Sequence, residues 1–207
     1  MKDIKFYKAV VFINSLVPLA LMSWDWYHQK LGANPVEFLT RTTGMLTLVF
    51  LFISLAVTPL RKMTGAQWII QLRRMLGLYA FFYGFLHLVT YIWFDRTFNL
   101  KSTVADIYAR PFIAVGMLSF FLLIPLAITS TKGWIKRLGG KRWARLHKLA
   151  YVAAIGGVIH FWMLVKSDTR LPIRFAFVLA ILLGSRIVIN SLKQKTPART
   201  LIPPASG

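Results

Sequence analysis

Charged positions divide this chain into apolar blocks. No Asp, Glu, Lys or Arg falls within 9–24, 42–60, 75–94, 111–131 or 149–165. A bilayer crossing takes about 20 mostly apolar residues, with about 17–25 as the working range, and the middle three blocks meet that outright. The first and fifth meet it once flanking Lys and Asp side chains snorkel to the headgroups. A sixth block, 172–192, is interrupted by Arg186, which is expected near a headgroup layer. The pattern predicts an all-α, integral membrane bundle of six transmembrane helices over 9–26, 42–60, 75–94, 111–131, 148–165 and 172–192. Residues 1–194 form one domain in this reading. The Pro-rich segment 195–207 is expected to be a disordered cytoplasmic tail.

Composition agrees with the pattern. Charged residues make up 15% of the chain, against about 25% in a soluble domain. The first block reads as a retained span, because Pro18 breaks it and no small-residue cleavage site follows. Cysteine is absent, which excludes disulfides, Cys-ligated iron–sulfur clusters and covalent c-type haem attachment. No Gly-rich phosphate-binding motif occurs either, so no nucleotide domain is built in.

The net charge of +20 invites a nucleic-acid reading, but its distribution argues for topology instead. The N-terminus, the 61–74 and 132–148 loops and the C-terminal part hold 18 of the 26 Lys and Arg residues; the other three loops hold 8. By the positive-inside rule both termini are cytoplasmic. The cations then face anionic lipid, with no nucleic-acid partner. Asp25, Glu37, Asp95, Asp106 and Asp168 fall on the outer side and are expected to help dock a periplasmic partner. Trp24, Trp26, Tyr27, Trp93, Phe94 and Trp162 lie near the outer interface, as an aromatic belt does.

Candidate chemistry rests on histidine. Of four histidines, His28 lies in the first outer loop, a surface position. His87 and His160 lie within the third and fifth spans, which run in the same direction, and reach a similar depth towards the outer half. Ionisable residues inside a span are costly and usually functional. Two imidazoles at matched depth can supply both axial ligands of one haem iron. Gly84 precedes His87, and Gly156 and Gly157 precede His160, by about one turn. Helical side chains lean over that turn, so these glycines are expected to give a porphyrin clearance. Polar cross-helix contact with close packing, and a proton or ion path, are the competing readings.

His147 begins the fifth span, 13 residues before His160, or roughly 20 Å along the axis. A second haem there is the lesser reading. The two side chains point about 140° apart, and the matching depth on the third span holds Arg73 and Arg74. Arginine partners a propionate, a flavin phosphate or a lipid headgroup better than it ligates iron. The loop GWIKRLGGKRWARLHK (133–148) offers Lys141, Trp143 and Arg145 either to a flavin or quinone headgroup or to lipid as an amphipathic segment.

Several runs resemble the MsrQ family. They are RRMLGLYAFFYGFLHLVTY (73–91), RPFIAVG (110–116), LAITS (126–130), LGGKRWARLHKLAYVAAIGGVIHFW (138–162), LGANP (31–35) and TPLR (58–61). The resemblance covers essentially 10–192. It implies a ferric-reductase-like transmembrane domain and a membrane haem b subunit, with FMN associated. It also implies electrons taken from the quinone pool or a cytoplasmic flavin reductase and handed to MsrP. MsrP is a periplasmic molybdopterin enzyme that repairs oxidised methionines. The family's haem histidines map onto His87, His147 and His160. The chain itself is then an electron-transfer subunit rather than the catalytic one.

Overall fold

A computed structural model describes residues 3–165 and 167–195; the expected tail beyond Lys195 lies outside the described residues. Among those described, every regular element is helical. They run α1 (Ile4–Tyr27), α2 (Pro35–Thr64), a 3₁₀ turn (Gln67–Gln71) and α3 (Arg73–Thr90), which continues as a π turn (Tyr91–Asp95). Then come α4 (Leu100–Ala109), α5 (Pro111–Ile128), α6 (Lys132–Leu138), α7 (Gly140–Leu146), α8 (Leu149–Leu164) and α9 (Arg170–Lys195). Six of the helical segments are long and apolar enough to cross a bilayer, matching the six blocks in the charge pattern. The protein is a multi-pass membrane protein.

Local sequence sets the helix ends. Asn34 caps α2 by accepting the Glu37 backbone N–H, and its amide donates back to the Glu37 carboxylate, a reciprocal cap followed by Pro35 at the first helical position. Gly65 ends α2 with φ of +69°, a left-handed conformation that glycine adopts without steric cost. Pro111 opens α5 and Asn99 caps α4. Helix α4 is a short element in a segment expected to be a loop; its charged residues, Lys101 and Asp106, hid it from an apolar count. The basic loop likewise folds into two one- to two-turn helices, α6 and α7.

Two antiparallel pairs, α2 with α3 and α5 with α8, form the centre of the bundle, and α9 lies against α2 and α8. Small residues let these backbones approach, as expected where lipid removes the hydrophobic drive between helices. Ala80 and Ala154 are fully buried. Around them, Phe50 of α2 stacks on Tyr79 and lies flat on Tyr83 of α3. Large apolar side chains such as Phe12, Leu21, Leu118, Phe121 and Phe177 cover the outside, a lipid-facing surface.

Arg186, expected at a headgroup layer, turns inward. Its guanidinium donates to the Leu55 carbonyl of α2 at 2.5 Å and to the Tyr151 hydroxyl of α8, and lies 4.8 Å from the Tyr151 ring centroid. In an apolar layer a charged group takes whatever acceptors and π faces are nearest. Helix α1 is tied on by two tyrosines one turn apart. Tyr79 donates to the Phe12 carbonyl (2.9 Å) and Tyr83 to the Ser15 carbonyl (2.6 Å).

Cross-helix hydrogen bonds of this kind average about 0.6 kcal/mol in membranes. Removing both in a Tyr79→Phe, Tyr83→Phe variant is expected to cost about 1 kcal/mol and to lower the melting temperature in detergent. Thermal unfolding of the purified variant checks this; stability equal to the wild type would mean that packing alone holds α1.

Candidate functional site

Towards the end of the bundle where α3 and α8 finish, His87 and His160 face each other. Their ring centroids lie 6.1 Å apart with the planes at 77°, so the matched depth read from sequence brings them together. Each ring is fixed in the same way. His87 Nδ1 lies 2.8 Å from the Thr40 carbonyl of α2, and His160 Nδ1 lies 2.6 Å from the Phe112 carbonyl of α5. A carbonyl only accepts, so Nδ1 carries the proton in both rings. The neutral imidazole then keeps a lone pair at Nε2.

What lets the rings reach these carbonyls is a glycine one turn further along the neighbouring helix. A Cβ on Gly44 would sit 3.0 Å from the His87 ring, and one on Gly116 would sit 2.7 Å from the His160 ring. Gly44 follows Thr40 by four residues and Gly116 follows Phe112 by four. Each carbonyl therefore belongs to the turn that the glycine uncovers. Neither glycine was singled out from sequence, because attention fell on glycines within the histidines' own helices. A signal for them exists as an internal repeat: GMLT (44–47) recurs as GMLS (116–119), and GFLH (84–87) recurs as GVIH (157–160).

The glycines expected to clear a porphyrin do other work. A Cβ on Gly84 would meet Phe120 at 3.2 Å and Thr47 at 3.3 Å, one on Gly157 would meet Leu48 at 2.8 Å, and one on Gly156 would collide with the Ser119 hydroxyl. All three face a neighbouring helix closely, the packing role weighed against clearance.

His147 lies at the other end of the bundle and is not brought to the pair. Its ring stacks on Trp143 at 4.0 Å, and its Nε2 lies 3.0 Å from Thr129 Oγ1. That hydroxyl also lies 2.6 Å from the Pro125 carbonyl, so one oxygen links the ring to the end of α5. Trp143 is further fixed by its indole N–H to the Thr129 carbonyl. Arg73 is half-buried and within electrostatic reach of His147, whereas Arg74, Lys141 and Arg145 are exposed. His28 caps α1 against the Trp24 carbonyl, as a surface position allows.

The outer acids separate in the structure. Glu37 and Asp168 are exposed and Asp25 is half-buried, while the side chain of Asp95 lies outside the described residues. Asp106 is the correction: it is 6% exposed, with its carboxylate held between Arg96 at 2.7 Å and Arg110 at 2.8 Å and accepting the Tyr91 hydroxyl at 2.8 Å. A carboxylate so enclosed presents no charge to a docking partner.

Two imidazoles with centroids 6.1 Å apart, each with Nδ1 engaged and Nε2 left as a lone pair, form a two-nitrogen donor pair. Among the described residues no third His, Asp or Glu joins them, so the pair alone does not make the tetrahedral site that zinc prefers.

The fold and the pair define a helical membrane protein with a two-histidine site, and the family model for "Ferric reductase like transmembrane component" matches residues 40–158. Proteins named "Protein-methionine-sulfoxide reductase heme-binding subunit MsrQ" are similar over most of the chain. The relative from Herminiimonas arsenicoxydans is 50% identical over 182 residues, 87% of this chain and 84% of its own. That from Ralstonia nicotianae is 46% identical over 90% and 87% of the two chains. That from Xanthomonas campestris pv. campestris is 44% identical over 95% and 93%. The chain belongs to the MsrQ family.

Overpacking a well-filled site typically costs about 1–3 kcal/mol. Gly116→Ala, with the closer contact, is expected to destabilise the protein more than Gly44→Ala. Thermal unfolding of the two variants side by side checks the order, and equal stabilities would show that the rings move aside freely.

Proposed function

We propose that this chain is the haem b-binding electron-transfer subunit of a methionine sulfoxide reductase system. Electrons would be taken from the quinone pool or a cytoplasmic flavin reductase. They would be delivered across the inner membrane to a periplasmic molybdopterin partner of the MsrP type that repairs oxidised proteins. The observation that carries the reading is the His87–His160 pair. An imidazole nitrogen sits about 2 Å from a bound metal and its ring centroid about 1.2 Å further back. Two opposed ligands therefore place their centroids about 6 Å apart, which the 6.1 Å separation fits. A porphyrin brings its own four equatorial nitrogens, so a two-histidine set suffices for haem where it fails for zinc. The relatives named as heme-binding subunits point the same way.

Haem b held by His87 and His160 supplies a one-electron carrier that alternates between ferric and ferrous iron. The chain's own residues hold and tune it. The Thr40 and Phe112 carbonyls fix the tautomer, aim Nε2 and raise the basicity of each imidazole, the usual work of a ligand's outer hydrogen bond. Burial between the α2–α3 and α5–α8 pairs keeps water away and helps set the potential. Nothing on the chain needs to act on a methionine sulfoxide, in keeping with a subunit that is not the catalytic one.

In this reading the basic end, with both termini, faces the cytoplasm and anionic lipid. Glu37, Asp25 and Asp168 form the outer docking set. Arg73, Arg74, Lys141, Trp143 and Arg145 offer cations and an aromatic face to an FMN phosphate, a propionate or a quinone near the basic end. A second haem at His147 is the weaker part of the proposal, since its Nε2 is engaged by Thr129 Oγ1 at 3.0 Å and the matching position on α3 is an arginine.

Reduced-minus-oxidised visible spectra of the purified protein test the reading. The wild type is expected to show a low-spin b-type spectrum, with a strongly anisotropic ferric EPR signal because the imidazole planes are nearly perpendicular. His87→Ala and His160→Ala are each expected to abolish that spectrum, and His147→Ala to retain it. A colourless wild type from haem-replete cells would sink the proposal and favour a histidine-based proton path.

A further inference from the structure

The buried carboxylate of Asp106 sits where the two halves of the histidine site meet. One oxygen takes the Tyr91 hydroxyl and the Arg96 guanidinium; the other takes Arg110. Tyr91 is four residues beyond His87, one turn further along the same rod. Arg110 is the N-cap residue of α5, two before Phe112, whose carbonyl holds His160. A single side chain therefore ties the end of the helix that bears one imidazole to the start of the helix that orients the other.

The surrounding backbone is built to deliver that side chain. The π turn Tyr91–Asp95 lets α3 end without breaking. The next connection places Thr97 and Phe98 at φ of 47° and 56°, a region that non-glycine residues seldom occupy. Such conformations persist only where neighbouring contacts over-determine them. Here the Trp93–Phe98 ring contact at 5.0 Å, the Asn99 cap of α4 and the Asp106 ion pairs all hold the segment. If the carboxylate is removed, Arg96, partly enclosed, loses this ion pair, while Arg110 can turn to solvent, so the cost of rearrangement falls on the Arg96 side.

The geometry points to Asp106 as a positioning residue for the haem ligands: its carboxylate, through Tyr91 and Arg110, sets the spacing and mutual rotation of His87 and His160. This rests on the haem reading above. It goes beyond that reading in giving a residue that touches neither ligand a role in ligand geometry. The simpler alternative is that Asp106 only anchors α4.

Asp106→Asn keeps the shape and removes the charge, and Tyr91→Phe removes one tie while leaving both ion pairs. Each is made in the full chain and purified with haem. The readouts are the low-temperature ferric EPR signal and the rate at which carbon monoxide binds the ferrous protein, which a closed bis-histidine site resists. Asp106→Asn is expected to lose the strongly anisotropic signal and to bind carbon monoxide about tenfold faster, the lower end of outer-shell effects on metal sites. Tyr91→Phe is expected to shift both readouts in the same direction by less. Wild-type EPR and wild-type carbon monoxide rates in both variants would overturn the inference and leave Asp106 as an anchor for α4. A wild type without a Soret band would overturn the haem reading and this inference together.

Discussion

A backbone carbonyl has two lone pairs, and an α-helix uses only one of them. The site described here depends on the second. The carbonyls of Thr40 and Phe112 each lie one helical turn before a glycine, and each takes an imidazole Nδ1–H from the helix packed alongside. That arrangement satisfies a polar donor in an apolar layer, where an unmet hydrogen bond is expensive. It fixes which nitrogen carries the proton, and it turns the remaining lone pair of each ring towards the gap. Replacing either glycine by a residue with a side chain would separate ring from carbonyl, so two hydrogen atoms in place of methyl groups decide the chemistry that the pair can do.

The rest of the bundle serves to hold those two helix pairs together. Glycines 84, 156 and 157 bring α3 and α8 close to their neighbours, with Phe120, Thr47, Ser119 and Leu48 seated over them. Tyr79 and Tyr83 draw α1 onto α3, and Arg186 draws α9 onto α2 and α8. In each case a side chain donates to a helix carbonyl or to a hydroxyl on another helix. The same device therefore recurs across the molecule, at the ligands and away from them. It suits a medium in which burial of apolar area does not drive helices together and specific polar contacts must choose the partners.

Much of this is legible in the sequence, and the illegible part has a physical cause. Charge-free blocks locate the spans because water and lipid differ so sharply in their tolerance of charge. The depth of His87 and His160 follows from counting residues to the nearest charged position. Which element touches which ring does not follow, because a histidine's hydrogen-bond partner lies on another helix at a distance in sequence that no periodicity encodes. The glycines three residues before each histidine are visible in the sequence, whereas the contacts of Gly44 and Gly116 with the rings exist only in the fold. Helix α4 and the burial of Asp106 escaped for a related reason. A charged residue reads as exposed until its two arginine partners, ten residues before and four residues after, are seen to close on it.

The repeat that builds the histidine pair fails at the opposite end, and the failure has a consequence. Counting back 13 residues from His160 reaches His147, while the same count from His87 reaches Arg74. Arg74 is exposed, Arg73 is half-buried near His147, and the His147 Nε2 is engaged by the Thr129 hydroxyl. One end of the bundle thus presents two lone pairs to a metal, and the other presents cations and an engaged imidazole. Guanidiniums in low-dielectric surroundings attract an anionic headgroup, phosphate or carboxylate far more readily than a ferric or ferrous ion. The asymmetry favours one bis-histidine haem near the end where α3 and α8 finish. It also favours an anion-recruiting surface at the end where they begin, so that the two ends of the bundle differ in chemistry as well as in charge.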